Sequence, residues 1–203
     1  MTTVPQNQDL DLIFLIDRSG SMYGSEEDTM GGFNSFIDKE SKNEFNTNVT
    51  TILFAHDYEV LYKRKSINDV GKLTSDEYRV GGSTALLDAI GRTITSLNRE
   101  IDNKVLFVII TDGMENSSVE YSKQQIKNMI ESHNWEFIFL GADIDSYAEA
   151  HKIGIRKSRV ANYKKSQEGF DDAFLSVDNA TRFLRKNRSL DKSGWKDNLR
   201  KYD

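Results

Sequence analysis

The stretch L10-D-L-I-F-L-I-D-R-S-G-S-M22 decides the fold. Its first half is an almost unbroken apolar run, which is typical of a strand buried on both faces in the centre of an α/β sheet. The chain then turns polar, and Asp17, Ser19 and Ser21 follow one another at every second position around Gly20. Their carboxylate and hydroxyl oxygens are hard donors, which suit Mg²⁺ or Mn²⁺ better than zinc or copper. Since open α/β sheets bind ligands beyond the carboxyl ends of their strands, the pattern is as consistent with a metal site as with a polar turn that caps a helix.

The composition limits the class of protein. With 203 residues, 37% of them hydrophobic and 29% charged, we expect one globular domain over residues 1–203, with a core at about 9–163 and a C-terminal helix and basic tail at about 164–203. The net charge of −5 gives no electrostatic reason to expect a nucleic-acid partner, and the lack of cysteine excludes disulfides and thiolate chemistry. Neither a signal peptide nor an apolar run of about 18 residues is apparent, so we expect a cytoplasmic protein without a membrane span.

Beyond the opening stretch the sequence alternates between helix and strand patterns. In chain order we predict a helix with an apolar stripe through Met30, Phe33, Phe36 and Ile37, an antiparallel edge hairpin of strands at 49–55 and 59–63, a helix from Ser83 or Thr84, a strand at 104–111, a helix at 120–130, a strand at 135–140, a helix at 146–152, a short strand at 159–163 and a helix from about Ser166. This order predicts a doubly wound, Rossmann-like α/β fold, with a mostly parallel sheet, one antiparallel edge strand and helices on both faces.

Three polar features have structural interpretations. We interpret His56 as an exposed residue of the hairpin turn in preference to a metal ligand. Asp145 is interpreted as the cap of the helix at 146–152 in preference to a functional carboxylate. The segment 181–203 carries eight Lys or Arg against three Asp, a net charge of +5. We expect this basic tail to fold back on the acidic remainder of the chain, and a partner-binding arm is the alternative.

Hard oxygen donors recur at two further places. Thr84 lies in G-G-S-T-A-L-L-D-A-I at the expected start of a helix, where its plain role is an N-terminal cap, and Asp112 follows the predicted strand at 104–111. Each position alone is explained by a cap or a turn. Because the ends of adjacent central strands meet at one edge of the sheet, we expect these side chains to lie near Asp17.

Together these segments resemble the metal-ion-dependent adhesion site of the von Willebrand factor A domain family. The D-R-S-G-S segment from Asp17 matches the family pattern D-x-S-x-S, Thr84 matches its separate threonine, and Asp112 matches its second aspartate. The likeness covers roughly residues 9–163. Within the family, D-R-S-G-S-M and G-G-S-T-A-L-x-D-A-I are typical of intracellular single-domain members from bacteria and phages.

The resemblance implies that Ser19, Ser21 and Thr84 bind one Mg²⁺ or Mn²⁺ per chain directly, while Asp17 and Asp112 act through waters and hydrogen bonds. Neutral hydroxyl ligands leave the ion electrophilic, so a carboxylate from outside can take an open position. The implied function is a metal-dependent protein-binding module, not an enzyme, whose protein partner presents an Asp or Glu side chain. Nucleic acid and membrane are not expected as partners.

The alternative is a Mg²⁺-dependent hydrolase or phosphoryl-transfer enzyme on the same fold. Such an enzyme needs a nucleophile or general base near the metal. The sequence has no G-x-x-x-x-G-K-[ST] motif, and its other histidines, His133 and His151, lie toward the wrong ends of their elements. These observations favour the binding module.

Overall fold

The computed structural model describes residues 8–203, so the segment 1–7, including Pro5, which we place ahead of the first strand, lies outside the described residues. The described strands are β1 (Leu10–Asp17), β2 (Thr47–Phe54), β3 (Tyr58–Ser66), β4 (Lys104–Thr111), β5 (Glu136–Gly141) and β6 (Val160–Asn162). They form one sheet in the order β3-β2-β1-β4-β5-β6. Neighbouring strands run parallel except at the edge, where β2 and β3 are antiparallel. The expected strand topology is confirmed.

Helices cover both faces of this sheet, as expected. The described α-helices are α1 (Glu26–Glu40), α2 (Leu86–Leu97), α3 (Lys123–Ser132), α4 (Ser146–Lys152) and α5 (Gln167–Lys186). Side chains of β1 alternate between the two faces, because successive residues of a strand point in opposite directions. Phe14 packs on α1, with its ring centre 5.4 Å from that of Phe33, whereas Ile13 lies in the opposite core with Ile90 of α2.

The sheet order places a crevice at the carboxyl ends of β1 and β4. From β1 the chain moves outward to β2 on one side, and from β4 it moves outward to β5 on the other. The two strands pair in parallel as far as Ile16 and Ile110, so Asp17 and Asp112 emerge side by side. Such a reversal of strand order is where doubly wound sheets bind ligands.

Two helix starts test the expected caps. The Asp145 carboxylate accepts a hydrogen bond from the Ala148 amide at 3.0 Å, so its assignment as the cap of α4 is confirmed. The alternative role of Thr84 as a cap is wrong. Helix α2 begins two residues later than Thr84, at Leu86, and its cap position is Ala85, which makes no side-chain cap bond.

The basic tail packs against the body of the protein, as expected. Leu190, Trp195 and Leu199 are buried, and the Trp195 indole donates a hydrogen bond to the Ser158 carbonyl at 3.0 Å. The chain ends in a short 3₁₀ helix at Asp197–Tyr202. Within residues 8–203, none of the helices has both the length and the apolar character needed to cross a membrane.

Candidate functional site

The carboxylate of Asp17 is fixed at the end of β1 by its neighbours. Its Oδ1 accepts a hydrogen bond from the Ser19 amide at 2.6 Å, and its Oδ2 accepts one from the Thr111 hydroxyl of β4 at 2.5 Å. The Tyr78 hydroxyl donates to the Asp17 carbonyl at 2.5 Å. Burial, opposed by the bonds from Thr111 and Ser19, raises the pKa of Asp17 to about 6, and a bound cation would favour the ionised form.

The two serine hydroxyls form a short chain to the second strand end. Ser19 Oγ lies 3.1 Å from Ser21 Oγ, and Ser21 Oγ donates to Asp112 Oδ1 at 2.5 Å. This contact joins residues that are 91 positions apart in the sequence. The D-R-S-G-S loop and the T-D-G turn therefore meet at one point, as the sequence analysis expected.

The segment that carries Thr84 is bound to the D-R-S-G-S loop by its backbone. The Gly81 amide donates to the Arg18 carbonyl at 2.8 Å, and the Gly20 amide donates to the Gly82 carbonyl at 2.9 Å. Gly82 has a φ of +80°, in the left-handed region where glycine is favoured. The glycines ahead of Thr84 thus shape the turn that brings this residue to the strand ends.

The loop after Asp112 is held in turn against Thr84 and α2. The Asn116 side-chain oxygen accepts from the Thr84 amide at 2.9 Å, and the Asn116 amide donates to the Thr84 carbonyl at 3.0 Å. The carboxylate of Asp88 on α2 accepts hydrogen bonds from the backbone amides of residues 119, 120 and 121, each with an N···O distance of 2.9 Å. Asp88 and Asn116 therefore position the site without belonging to the predicted ligand set.

Oxygen atoms converge on the space beside Gly113, and this tests whether a metal ion fits. A Cβ atom at this position would lie 2.7 Å from Thr84 Oγ1, 3.1 Å from Ser21 Oγ and 3.4 Å from Asp17 Oδ2. Hydroxyl and carboxylate oxygens thus border a space that any side chain at position 113 would fill. Within residues 8–203, no group of three or more His, Cys, Asp and Glu side chains could hold a metal. The donors beside Gly113 are two hydroxyls and one carboxylate, hard oxygen ligands that fit a cation such as Mg²⁺.

A lysine ammonium that the sequence did not predict also lies at this site. Lys165 Nζ lies 2.7 Å from Asp112 Oδ2 and donates to the Ser21 carbonyl at 2.6 Å. Asp112 Oδ2 is buried and pairs with Lys165 by charge, although no aligned hydrogen bond reaches it. Lys165 lies in a distant part of the sequence without a motif, so no local signal could have identified it.

Arg18, which occupies the first variable position of the family pattern D-x-S-x-S, also has a structural role. Arg18 is almost buried, and its guanidinium pairs with Asp57 at 2.8 Å and Glu59 at 2.6 Å on the edge hairpin. It also donates to the Glu77 carbonyl at 3.2 Å. His56 is exposed in the same hairpin turn, as expected. Arg18 therefore fastens the loop to the edge of the sheet.

The loops around the site carry exposed apolar side chains. Tyr23 follows the serine loop and is 80% exposed. Met114 and Val119 lie on the loop after Asp112 and are 60% and 90% exposed. We call these three exposed side chains the apolar rim of the site.

The fold resembles that of several solved structures of low sequence identity. Proximal thread matrix protein 1 from the mussel byssus, in a form described as having a zinc-occupied MIDAS motif, aligns over 87% of this chain and 46% of its own length, with 14% identity and a TM-score of 0.65. The pilus adhesin SpaC from Lactobacillus rhamnosus GG aligns over 88% and 30%, with 14% identity and a TM-score of 0.66. The ArnB paralog VWA2 from Sulfolobus acidocaldarius aligns over 82% and 44%, with 18% identity and a TM-score of 0.58.

This chain spans less than half the length of each of these three proteins. No curated protein sequence matches it at a significant level. The family model of the von Willebrand factor type A domain, in contrast, matches residues 11–174, which include all five of the predicted site residues. The chain therefore belongs to the von Willebrand factor type A domain family.

Proposed function

We propose that this protein is a metal-dependent protein-binding module and not an enzyme. Its ligands would be the hydroxyls of Ser19, Ser21 and Thr84, with Asp17 and Asp112 acting mainly through waters, around one Mg²⁺ or Mn²⁺ per chain. When bound, the ion would supply a coordination position for an Asp or Glu carboxylate of a partner protein. The observation that carries this proposal is the convergence of three oxygen donors, from two separate segments, beside Gly113.

The contacts of the site explain what each residue contributes. Asp17 orients the D-R-S-G-S loop through the Ser19 amide, and Asp112 orients the Ser21 hydroxyl. Such outer groups fix the direction of ligands and tune their basicity. Because hydroxyls carry no charge, these direct ligands would neutralise little of the ion's positive charge. An incoming carboxylate would therefore be attracted strongly.

The choice of Mg²⁺ or Mn²⁺ follows from the oxygen donors. Zinc sites in proteins draw mainly on Cys, His and carboxylate ligands. The zinc described for the mussel protein was bound by that protein, and it does not determine which ion this chain prefers. Titrations of this chain with Mg²⁺, Mn²⁺ and Zn²⁺ under the same conditions would decide the preference, and tight selective Zn²⁺ binding would contradict our assignment.

The positions of the histidines support a binding role over the hydrolase or phosphoryl-transfer alternative. His133 follows α3, and its ring contacts the Met129 carbonyl and the Trp135 ring. Trp135 directly precedes β5, so His133 lies at the amino ends of the strands, opposite the candidate site. His151 is exposed near the end of α4. Mg²⁺-dependent hydrolysis of p-nitrophenyl phosphate that is lost in Asp17→Asn would favour the enzyme instead.

Thr84→Ala should weaken Mn²⁺ binding about tenfold or more, since loss of one oriented oxygen costs roughly 1–3 kcal/mol. Circular dichroism should be unchanged, because Thr84 caps no helix. Calorimetric titration with Mn²⁺ measures the affinity. Thr95→Ala, on the exposed side of α2, is the matched control and should bind Mn²⁺ like the wild type.

A second measurement tests the carboxylate position itself. Bound Mn²⁺ accelerates the relaxation of water protons, and an acetate ion or an Asp-containing peptide that displaces water should reduce this effect. EDTA should remove the response, and added Mg²⁺ should restore peptide binding. A peptide that binds equally well in EDTA or to Thr84→Ala would show that the interface lies elsewhere.

A further inference from the structure

We propose that Lys165 is a built-in competitor of the divalent ion. Its ammonium pairs with Asp112 at the candidate metal site and has to yield when the ion binds, so that the protein holds the ion less tightly than its oxygen donors alone would allow. The inference rests on the proposed metal site and adds an internal regulator of its affinity.

The contacts of the ammonium point into the site and not toward solvent. Lys165 Nζ lies 2.7 Å from Asp112 Oδ2 and 2.6 Å from the Ser21 carbonyl, and both of these residues belong to the predicted ligand set. The Lys165 side chain is 23% exposed, and that of Asp112 is 1% exposed. A partly buried pair of this kind is weakly screened by water and salt.

The backbone of the turn that carries Lys165 is held in place, while the side chain itself stays free to move. The residue lies in the short turn between β6 and α5, and the Ser166 amide donates to the Lys164 carbonyl at 2.8 Å. Ser166 caps α5 by accepting from the Gly169 amide. A Cβ atom at Gly169 would lie 2.0 Å from the Lys164 carbonyl oxygen, so the turn is packed directly on the first turn of the helix. The reach of Lys165 to Asp112 is thus set by the fold.

Charge balance then determines the effect on metal binding. Asp17 and Asp112 bring two carboxylates to the site, and the Lys165 ammonium neutralises one of them. An ion beside Asp112 would also be repelled by an ammonium within a few ångströms. Because a lysine charge lies on a flexible four-carbon stem, the ammonium can move away into solvent when the ion arrives. Competition of this kind lowers affinity without changing any ligand.

The test compares Mn²⁺ and Mg²⁺ binding to the purified chain and to single variants by calorimetry. Lys165→Met should bind both ions roughly tenfold more tightly or better, because it removes a like charge from a weakly screened site. Lys165→Gln is a second neutral variant with the same expectation. Lys165→Arg keeps the charge and should retain the weaker wild-type affinity, and Lys164→Met removes the same charge from the exposed neighbouring position and should change little.

Thermal unfolding gives a readout that does not depend on the titration. Without added metal, Lys165→Met should melt at a lower temperature than the wild type, because buried Asp112 loses its cation. Saturating Mg²⁺ should raise its melting temperature by more than it raises that of the wild type, since tighter binding to the folded state stabilises it further.

The outcomes separate this inference from the proposal on which it rests. If the wild type binds Mn²⁺ and Lys165→Met binds it equally or more weakly, the competitor role is overturned and the metal site stands. If neither protein binds Mn²⁺ or Mg²⁺, both proposals are wrong. Binding by Lys165→Met alone would be the strongest support for competition.

Discussion

Gly113→Ala should weaken metal binding about 100-fold or more while leaving most of the fold intact. The new Cβ would lie 2.7 Å from Thr84 Oγ1 and 3.1 Å from Ser21 Oγ, so one or both hydroxyls have to move away from the convergence point. Displacing even outer residues of a metal site costs roughly 10- to 100-fold in affinity, and we expect at least the upper end of that range here. Mn²⁺ calorimetry gives the affinity, and circular dichroism reports the fold.

Gly31→Ala is the matched control for this substitution. Gly31 lies on α1, is exposed, and has no heavy atom within 4 Å of the position where its Cβ would lie. Alanine is favoured over glycine inside a helix, so this variant should gain about 0.5–1 kcal/mol of stability and bind Mn²⁺ normally. Wild-type Mn²⁺ affinity in Gly113→Ala would show that the ion does not occupy the space beside this residue.

Trp195→Ala should destabilise the protein by about 3–5 kcal/mol, the usual cost of removing a buried aromatic side chain. Trp195 is 2% exposed and bonds to Ser158, so its loss would open a cavity between the basic tail and the body. Urea unfolding measures the change in the free energy of unfolding. Mn²⁺ affinity below the unfolding transition should not change, since Ser158 lies ahead of β6, away from the carboxyl ends of the strands.

Arg188→Ala is the control that removes a charge from the basic tail without removing a buried side chain. Arg188 is an exposed residue of the basic tail, and its removal should change stability by no more than about 0.5 kcal/mol. Deletion of residues 188–203 should lower stability at least as much as Trp195→Ala does. If both the deletion and Trp195→Ala left stability unchanged, the tail would be a free arm and our description of its packing would be wrong.

The fold could be predicted because its central strands have an unambiguous pattern. β1 and β4 are almost continuously apolar, which is typical of strands that are covered on both faces in a parallel sheet. The ends of strands and helices were harder to predict where polar residues belong to the element. The edge strand β3 extends to Ser66 through charged residues, and the expected helix start at residue 120 moves to Lys123. The second shift has a local cause, because Ser122 and Gln125 form a capping box that starts α3 at Lys123.

The convergence of the candidate site residues could be predicted from the sequence, but the contacts that support them could not. The spacing of Asp17, Ser19 and Ser21 is local, and the family pattern added Thr84 and Asp112. Long-range contacts leave no such trace, so the Tyr78 bond to the Asp17 carbonyl and the ammonium of Lys165 came only from the structure. Whether Thr84 capped a helix or faced the site was also open until the position of Ala85 decided it.

The contrast between the buried site and its exposed apolar rim has a consequence for how recognition can evolve. Tyr23, Met114 and Val119 are the exposed side chains of this rim, and substitutions at such surface positions usually change stability by less than about 0.5 kcal/mol. Mutation can therefore explore new rim surfaces almost neutrally while Asp17 and Asp112 stay fixed at the strand ends. A lineage of such proteins could exchange one partner for another without passing through a form that has lost either its core or its candidate metal site.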